Sequence, residues 1–232
     1  MTEDQIRVST YNVHQWVGMD GKYDPDRGLD VLKEIDSHII ALQEVNFPKH
    51  LKHRLTSDRM ARELEMEIIA GTTMVRKEAS YGNVVLTRCE ILAVRRHDIT
   101  VGRYEPRGVI DLDLKLGKKE IRVVSTHLGL RMRERRLQHT KLREILASKP
   151  SELLVLMGDF NEWIPLAFPF RRVSHIFHHI HAPKTFPTVL PFLALDRIMV
   201  APKEQLLSLG VHRTPLSRKA SDHYPVTAAI SL

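Results

Sequence analysis

Apolar, strand-like runs recur along this chain, and six of them border a short polar signature. The signatures are Ser9-Thr10-Tyr11-Asn12, Leu42-Gln43-Glu44, Ser125-Thr126-His127-Leu128, Gly158-Asp159-Phe160-Asn161, Leu195-Asp196-Arg197 and Ser221-Asp222-His223. They carry Asn, Glu, Asp and His, the residue types that hold a hard metal ion and hydrolyse a phosphate ester. Because an unpaired carboxylate is costly to bury, carboxylates placed repeatedly beside strand cores require an explanation.

Length and composition favour one globular unit. The 232 residues are 43% hydrophobic, enough for a sizeable core, and no linker or low-complexity tract divides them. We therefore expect a single domain over residues 1–232 and, since no obligate interface is evident, a monomer. No window approaches the roughly twenty consecutive apolar residues of a spanning helix.

Compartment and partners follow from the termini, the cysteine content and the charge. The polar, acidic N-terminal segment does not match a signal peptide, and Cys89 is the only cysteine, so we expect a cytoplasmic protein. The formal net charge is +7. Such a balance favours a polyanionic partner, either nucleic acid or an anionic membrane surface.

Hydrophobic periodicity predicts more strands than helices. Strands are predicted at residues 6–11, 38–45, 67–70, 81–88, 109–116, 120–128, 153–157, 195–200 and 225–232. Helices are predicted around residues 29–35, 57–64 and 131–147. This pattern predicts an α+β fold with packed sheets covered by helices. Residues 8–12 and 124–128 echo each other, which is compatible with an ancient duplication, but five residues cannot establish one.

Taken singly, each signature has a structural explanation beside a catalytic one. In an extended segment Asp159 and Asn161 point to one side and Phe160 to the other, yet Gly-Asp and Asn are also common turn residues. Glu44 is compatible with a metal site or a salt bridge. Asn12 is compatible with a turn.

The order of the signatures resembles that of the endonuclease/exonuclease/phosphatase family, which has the deoxyribonuclease I-like fold. The resemblance runs from residue 8 to about residue 228. Residues 127–131, Thr185-Phe186-Pro187 and Leu195-Asp196-Arg197-Ile198 are most similar to a bacterial YbhP-like branch. The family implies an α+β, four-layer α/β/β/α sandwich of two packed mixed β-sheets flanked by helices.

The resemblance also implies a divalent-metal-dependent phosphoesterase in which water attacks a phosphodiester in line. Glu44, Asn12 and Asp222 would bind Mg²⁺ or Mn²⁺, since oxygen ligands suit these cations. Asp159 would orient or deprotonate the attacking water, with Asn161 positioning it.

The remaining implied roles concern the phosphate. His223, held by Asp196, would donate to it, and His127 would contact it or protonate the leaving oxygen. Glu78 would be the partner of His127. The resemblance places three further residues on the substrate: Arg88, Arg107 and Asn83.

One position departs from the DNA-repair branch of the family. His14 stands two residues after Asn12, where that branch carries an acidic metal ligand. The departure weakens an assignment to DNA repair and leaves both nucleic acid and anionic phospholipid, or its headgroup, as phosphodiester substrates. A phosphomonoesterase and a non-catalytic nucleic-acid- or lipid-binding module are the alternatives.

Four other features lie outside these motifs. A histidine-rich segment at 175–181 is compatible with zinc or with a loop bordering the site. The arginines at 131, 133, 135 and 136 are compatible with a phosphate-binding surface or a solvated helix face. The side chains of Trp16 and Trp163 would either line the substrate cleft or pack in the core. The apolar, proline-containing loops at 168–170 and 186–192 would either contact a membrane peripherally or brace the site.

Overall fold

The computed structural model describes residues 5–48, 55–76, 79–163, 176–177 and 182–232. Its strands are β1 (Gln5–Asn12), β2 (Ile39–Pro48), β3 (Glu67–Arg76), β4 (Ala79–Thr87), β5 (Glu90–Asp98), β6 (Gly108–Leu116), β7 (Lys119–His127), β8 (Leu154–Asp159), β9 (Asp196–Ala201), β10 (Leu206–Val211) and β11 (Val226–Ser231). Its helices are α1 (Pro25–Ile35), α2 (Ser57–Leu64), α3 (Met132–Ala147) and α4 (Pro215–Ala220), with short 3-10 turns at His14–Trp16 and Lys203–Gln205.

The strands form two mixed sheets. One sheet has six strands in the order β10-β11-β1-β2-β4-β3, and the other has five in the order β5-β6-β7-β8-β9. Each sheet contains one parallel pair, β1 with β2 and β7 with β8, while the other neighbours are antiparallel.

The inner faces of the sheets pack against each other to form the central core. Val8 and Ile39 of the six-stranded sheet belong to the same buried cluster as Val123 and Val155 of the five-stranded sheet. A second cluster joins α1, α2 and α4 to the outer face of the first sheet, and a third joins α3 to the outer face of the other. The predicted four-layer α/β/β/α sandwich is therefore confirmed.

Helix α1 shows how local sequence starts and orients a covering element. The Asp24 side chain accepts a hydrogen bond from the backbone nitrogen of Arg27 at 3.0 Å, and Pro25 occupies the first turn. Both are favoured at helix starts. Leu29, Leu32 and Ile35 then form the buried stripe that faces the sheet.

Among the elements given above, the periodicity misses two strands and one helix. β5 and β10 are the edge strands at one side of each sheet, and the structure buries none of their residues fully. Edge strands of this kind carry no strong apolar alternation. α4 has six residues, which is too short for helical periodicity to show. No helix among the described residues is long and apolar enough to cross a membrane.

The two sheets share one internal arrangement. β1 lies between antiparallel β11 and parallel β2, and β7 lies between antiparallel β6 and parallel β8. The signatures of β1 and β7 therefore end at equivalent positions, at Asn12 and His127. The duplication itself stays a prediction.

A buried ion network connects the five-stranded sheet to the end of α3. The Asp111 carboxylate accepts two hydrogen bonds from Arg122, at 3.0 and 2.9 Å, and two from Arg95, at 3.0 and 2.9 Å. Burial opposes ionisation of Asp111, but the two guanidinium groups outweigh it and hold its pKa well below the usual range. Arg122 also donates to the carbonyls of Ile145 and Leu146 at 2.7 and 3.1 Å, near the end of the helix.

We expect Arg122→Met to lower the free energy of unfolding by roughly 3–5 kcal/mol, because it leaves a buried carboxylate and helix-end carbonyls with fewer partners. Urea denaturation followed by circular dichroism measures this loss. Arg143→Met, at an exposed position of the same helix, is the control and should change stability by less than about 0.5 kcal/mol. Equal losses in the two variants would contradict the role given to Arg122.

Candidate active site

The polar signatures meet where strands of both sheets end. Asn12, His127 and Asp159 are the last residues of β1, β7 and β8, and Asp196 is the first residue of β9. His127 lies opposite Asp159, and Asp159 lies opposite Asp196. The alignment follows directly from the parallel and antiparallel strand pairings.

These strand ends open into a cleft of about 430 Å³. Polar side chains at the cleft are Asn12, His14, Gln15, Glu44, Tyr81, Glu105, Arg107, His127, Asp159, Asn161, Asp222 and His223. Apolar side chains complete the wall: Leu130, Trp163, Phe186, Leu193 and Leu195. The structure thus brings the expected metal residues together with most of the expected catalytic residues.

A β-bulge places Glu44 in the cleft. The register of β2 against β4 shifts between Leu42 and Val45, and Glu44 has a φ of 57°. This left-handed conformation is uncommon for a residue other than glycine, and bulges redirect side chains near active sites. Burial raises the pKa of the Glu44 carboxyl, and the Asp159 and Asp222 carboxylates raise it further.

The Asn12 amide connects carboxylates from both sheets. Its Nδ2 donates to Glu44 Oε1 at 3.1 Å and to Asp159 Oδ2 at 3.0 Å. Its Oδ1 accepts from the backbone nitrogen of His14 at 3.0 Å. Because that backbone nitrogen is a donor, the amide oxygen must face it, and the amide nitrogen must face the two carboxylates.

The Gly158-Asp159-Phe160-Asn161 segment is fixed by a turn. The backbone nitrogen of Asn161 donates to Asp159 Oδ1 at 2.8 Å, and Asn161 has a φ of 49°. Both side chains line the cleft, while Phe160 is buried in the core beside α3. A Cβ at Gly158 would lie 1.9 Å from the carbonyl oxygen of Thr126, so the close strand approach requires glycine.

His127 is held as a neutral imidazole. Arg107 Nη1 lies 3.2 Å from Nδ1, and Asn161 Nδ2 lies 3.1 Å from Nε2. Burial lowers the pKa of His127 to about 3, with a further contribution from the Arg107 guanidinium. Both of these neighbours are nitrogen donors and neither accepts a ring proton, so the imidazolium, which carries two ring protons, is disfavoured.

His223 has the opposite charge preference. Its Nδ1 donates to Asp196 Oδ2 at 2.8 Å, and Thr185 Oγ1 donates to the same oxygen at 2.5 Å. Burial disfavours the imidazolium, but the carboxylates of Asp196, Asp159 and Asp222 outweigh it and raise the pKa of His223 to about 10. The ring is therefore protonated near neutral pH, and its Nε2 lies 3.9 Å from Asp159 Oδ2.

The donor set fits a divalent cation. Glu44 is partly buried next to Asp159 and Asp222, and their mutual repulsion is of the kind that a bound cation relieves. Oxygen ligands of this type suit Mg²⁺ or Mn²⁺. Asp159, Asp196 and His223 also have ligand atoms within 4.8 Å of one another. However, His223 Nδ1 already donates to Asp196, so that nitrogen and that carboxylate are engaged with each other. The carboxylates on the Glu44 side of the cleft are therefore the better candidates for metal ligands.

Among the described residues, three of the expected site residues do not line the cleft: Asp196, which accepts a hydrogen bond from His223, Arg88 and Asn83. Arg88 lies at the opposite end of β4, where it contacts Asp36 at 3.0 Å and donates to the carbonyl of Ser37 at 2.9 Å. We therefore correct its expected role from substrate binding to structural support. Asn83 is buried and donates to the carbonyl of Gly108 at 3.2 Å, which connects β4 to β6. Glu78 lies outside the described residues.

The other sequence features divide between core, cleft and surface. Trp16 is buried in the core against α1, whereas Trp163 lines the cleft. Arg135 is buried and its Nε donates to Glu162 at 3.2 Å. The neighbouring arginines at 131, 133 and 136 are exposed. The histidines at 175, 178, 179 and 181 and the loop at 168–170 lie outside the described residues.

Several cleft residues have no role predicted from the motifs, among them Tyr81 and Glu105. Tyr81 stands at the start of the β4 segment, and burial raises its pKa, with the Glu44 carboxylate adding to the effect. Glu105 accepts from Arg107 Nη1 at 3.2 Å. In the sequence, the polar start of β4 and the Glu105-Pro106-Arg107-Gly108 segment were the features that could have pointed to Tyr81 and Glu105. Neither feature shows that these residues lie in a cleft, because that depends on the fold.

Comparison with known proteins defines the class. A model of the Endonuclease/Exonuclease/phosphatase family matches residues 16–223. The chain therefore belongs to this family, which includes metal-dependent nucleases and phosphoesterases.

Individual relatives agree with this membership. YbhP, an uncharacterized protein of Escherichia coli K12, is 30% identical over 248 residues, which cover 98% of this chain and 96% of that protein. An endonuclease/exonuclease/phosphatase of Beutenbergia cavernae has a similar fold, with a TM-score of 0.75 and 20% identity, over 99% of this chain and 72% of that one. TDP2 of D. rerio complexed with single strand DNA product matches with a TM-score of 0.69 and 14% identity, over 97% and 98% of the two chains.

We expect Asp196→Asn to lower the pKa of His223 from about 10 to below about 8. Burial lowers this pKa, and the variant removes the Asp196 carboxylate that raises it. Histidine-ring NMR titration in metal-free buffer measures this pKa. Asp36→Asn, at the far end of the sheet, should leave the titration unchanged. A His223 titration that is the same in both variants and the wild type would show that Asp196 does not control the charge of His223.

Proposed function

We propose that this protein is a phosphodiesterase that depends on a divalent metal ion and hydrolyses its substrate by in-line attack of water. The observation that carries the proposal is the setting of Asp159. Its Oδ2 lies 3.6 Å from neutral His127 and 3.9 Å from protonated His223, and the Asn12 amide joins it to Glu44. One cleft therefore holds a carboxylate base, a cationic hydrogen-bond donor and an acidic metal site.

Glu44 and Asp222 would hold Mg²⁺ or Mn²⁺. Asn12, expected as a third ligand, would orient Glu44 beside the cation, because its amide oxygen accepts from the backbone nitrogen of His14. The bound cation would polarise a phosphoryl oxygen and offset the charge that develops on it. Asn12 keeps the carboxylates of Glu44 and Asp159 facing the same point of the cleft. Asp222 follows Ser221, whose hydroxyl donates to the carbonyl of Asn12 at 2.8 Å, so the two ends of the chain are joined here.

Asp159 accepts the proton of the attacking water. Its Oδ1 is fixed by the backbone nitrogen of Asn161, which leaves Oδ2 directed toward the cleft. An acceptor positioned in this way meets the geometric requirement for a general base.

The histidines and Arg107 bind the phosphate. Protonated His223 donates through Nε2, while Asp196 fixes the orientation of its ring through Nδ1. A His127 pKa of about 3 favours contact with the phosphate over protonation of the leaving oxygen, because the ring is neutral near pH 7. Arg107 adds a permanent positive charge beside it.

Several observations favour an enzyme acting on a polyanion over a non-catalytic module. The side chains proposed to bind the metal, to activate the water and to contact the phosphate line one cleft. The net charge of +7 suits either nucleic acid or an anionic lipid. A related fold, TDP2, is described in complex with a single strand DNA product.

We expect Asp159→Asn to lower kcat on a soluble aryl phosphodiester by roughly 10²–10⁴-fold in Mg²⁺ or Mn²⁺, because the proton acceptor is lost. Asp30→Asn, at an exposed position of α1, is the control and should behave like the wild type. Equal rates for Asp159→Asn and the wild type would remove Asp159 from the mechanism. A wild-type protein inactive with every divalent metal would refute the proposed function.

We expect Glu44→Gln to weaken Mn²⁺ binding by roughly 10–100-fold, because one anionic ligand becomes neutral at almost constant size. Electron paramagnetic resonance of free Mn²⁺ measures this affinity without an activity assay. Glu65→Gln, at an exposed position after α2, provides the control. Unchanged affinity in Glu44→Gln would place the metal elsewhere.

A further inference from the structure

The most exposed apolar side chains flank the cleft. Among the residues that the structure describes, five large apolar side chains are between 57% and 73% exposed: Leu130, Met132, Val189, Leu190 and Phe192. They lie in two short segments, 130–132 and 189–192, and each segment adjoins or includes residues of the cleft wall. We name these five side chains the apolar rim. Apolar groups concentrated at the mouth of a site indicate an interaction surface.

A hairpin presents one half of the apolar rim. Phe186 and Leu193 form a bridge and both line the cleft, so residues 189–192 are the tip of the loop between them. The base of this hairpin is fixed, since Thr188 Oγ1 donates to the carbonyl of Ser221 at 3.0 Å and its backbone nitrogen donates to the carbonyl of Asp222 at 2.9 Å. The exposed tip is thus attached to the segment that carries Asp222.

A buried ion pair fixes the other half. Arg135 donates to the carbonyl of Leu130 at 2.6 Å and to Glu162 at 3.2 Å, and its guanidinium lies 5.0 Å from the centre of the Trp163 ring. The side chains of Leu130 and Met132 remain exposed above this support. Two firmly held apolar segments therefore border the cleft.

Exposed arginines accompany both segments. Arg131 and Arg133 alternate with Leu130 and Met132, and Arg136 follows in the next turn. Beside the hairpin, Arg218 donates to the carbonyl of Val189 at 3.3 Å. Apolar side chains interspersed with arginines are typical of surfaces that bind an anionic membrane.

The composition of the rim favours lipid over nucleic acid. Four of its five members are aliphatic or methionine side chains, which offer no ring for base stacking. Surfaces that bind single strands present aromatic side chains for this purpose.

We propose that the apolar rim docks on an anionic phospholipid bilayer and that the substrate is a phospholipid of that bilayer. The inference rests on the proposed phosphodiesterase function. Water oxygen bonds to phosphorus, the bond from phosphorus to one alcohol oxygen breaks, and the alcohol leaves with a proton, so a phosphomonoester and an alcohol are formed. The apolar wall of Leu130, Phe186 and Leu193 contacts the lipid side of the substrate, and Arg107 contacts the phosphate.

Vesicle co-sedimentation tests the docking surface. Wild-type protein should bind equimolar phosphatidylcholine–phosphatidylglycerol vesicles, and binding to phosphatidylcholine alone should be weaker. The double variant Leu190→Ser/Phe192→Ser should bind the anionic vesicles at least about tenfold more weakly, since two inserted apolar side chains are lost. Leu207→Ser, at an exposed apolar position of edge strand β10, is the matched control and should bind like the wild type. Equal losses in both variants, or no vesicle binding by the wild type, would overturn the proposal.

A comparison of two substrates separates docking from chemistry. The ratio of phosphatidylglycerol hydrolysis in vesicles to hydrolysis of a soluble aryl phosphodiester should fall at least about tenfold in the double variant. Soluble-diester hydrolysis without vesicle binding would refute the docking surface and leave the proposed function intact. Vesicle binding by a protein inactive on every diester would refute the function instead. Hydrolysis of an oligonucleotide but of no vesicle lipid would overturn the lipid substrate.

Discussion

The hydrogen bonds of one amide group join the two halves of this molecule at its cleft. Asn12 ends the central strand of one sheet, and its Nδ2 contacts both Glu44 in that sheet and Asp159 in the other. Carboxylates that face each other across packed sheets repel, and a shared donor reduces that repulsion. The geometry of the proposed metal site and of the proposed water-activating base therefore depends on the same contact, and on the sheet packing that maintains it.

The two histidines show how position within the sandwich sets charge. Both side chains are buried beside Asp159, yet Arg107 lies against His127 and Asp196 lies against His223. The pKa of the first falls to about 3 and that of the second rises to about 10. One site thus contains a neutral and a cationic imidazole at the same pH, which would supply two different hydrogen-bonding partners for the phosphate of the proposed substrate.

Much of this arrangement could be predicted from the sequence because the signatures follow buried strands, whose apolar patterns are strong. The edge strands β5 and β10 could not, since exposed strands carry little alternation. Nor could the sequence distinguish Arg107, which lies in the cleft, from Arg88, which lies at the far end of β4. Both arginines belong to polar segments beside a strand. Only the direction of the strands in the folded sheet shows which arginine lies at the cleft end. The burial of Arg135 against Glu162 likewise depends on tertiary packing.

The backbone at Glu44 also has an evolutionary consequence. Its φ of 57° lies in a region where glycine is the least strained residue, so the side chain is kept at some cost in conformational energy. Selection for stability alone would replace it with glycine, and selection for the proposed hydrolysis would retain the acid. Glycine at this position in a homologous chain would therefore indicate a lineage that has kept the fold and lost the hydrolytic activity.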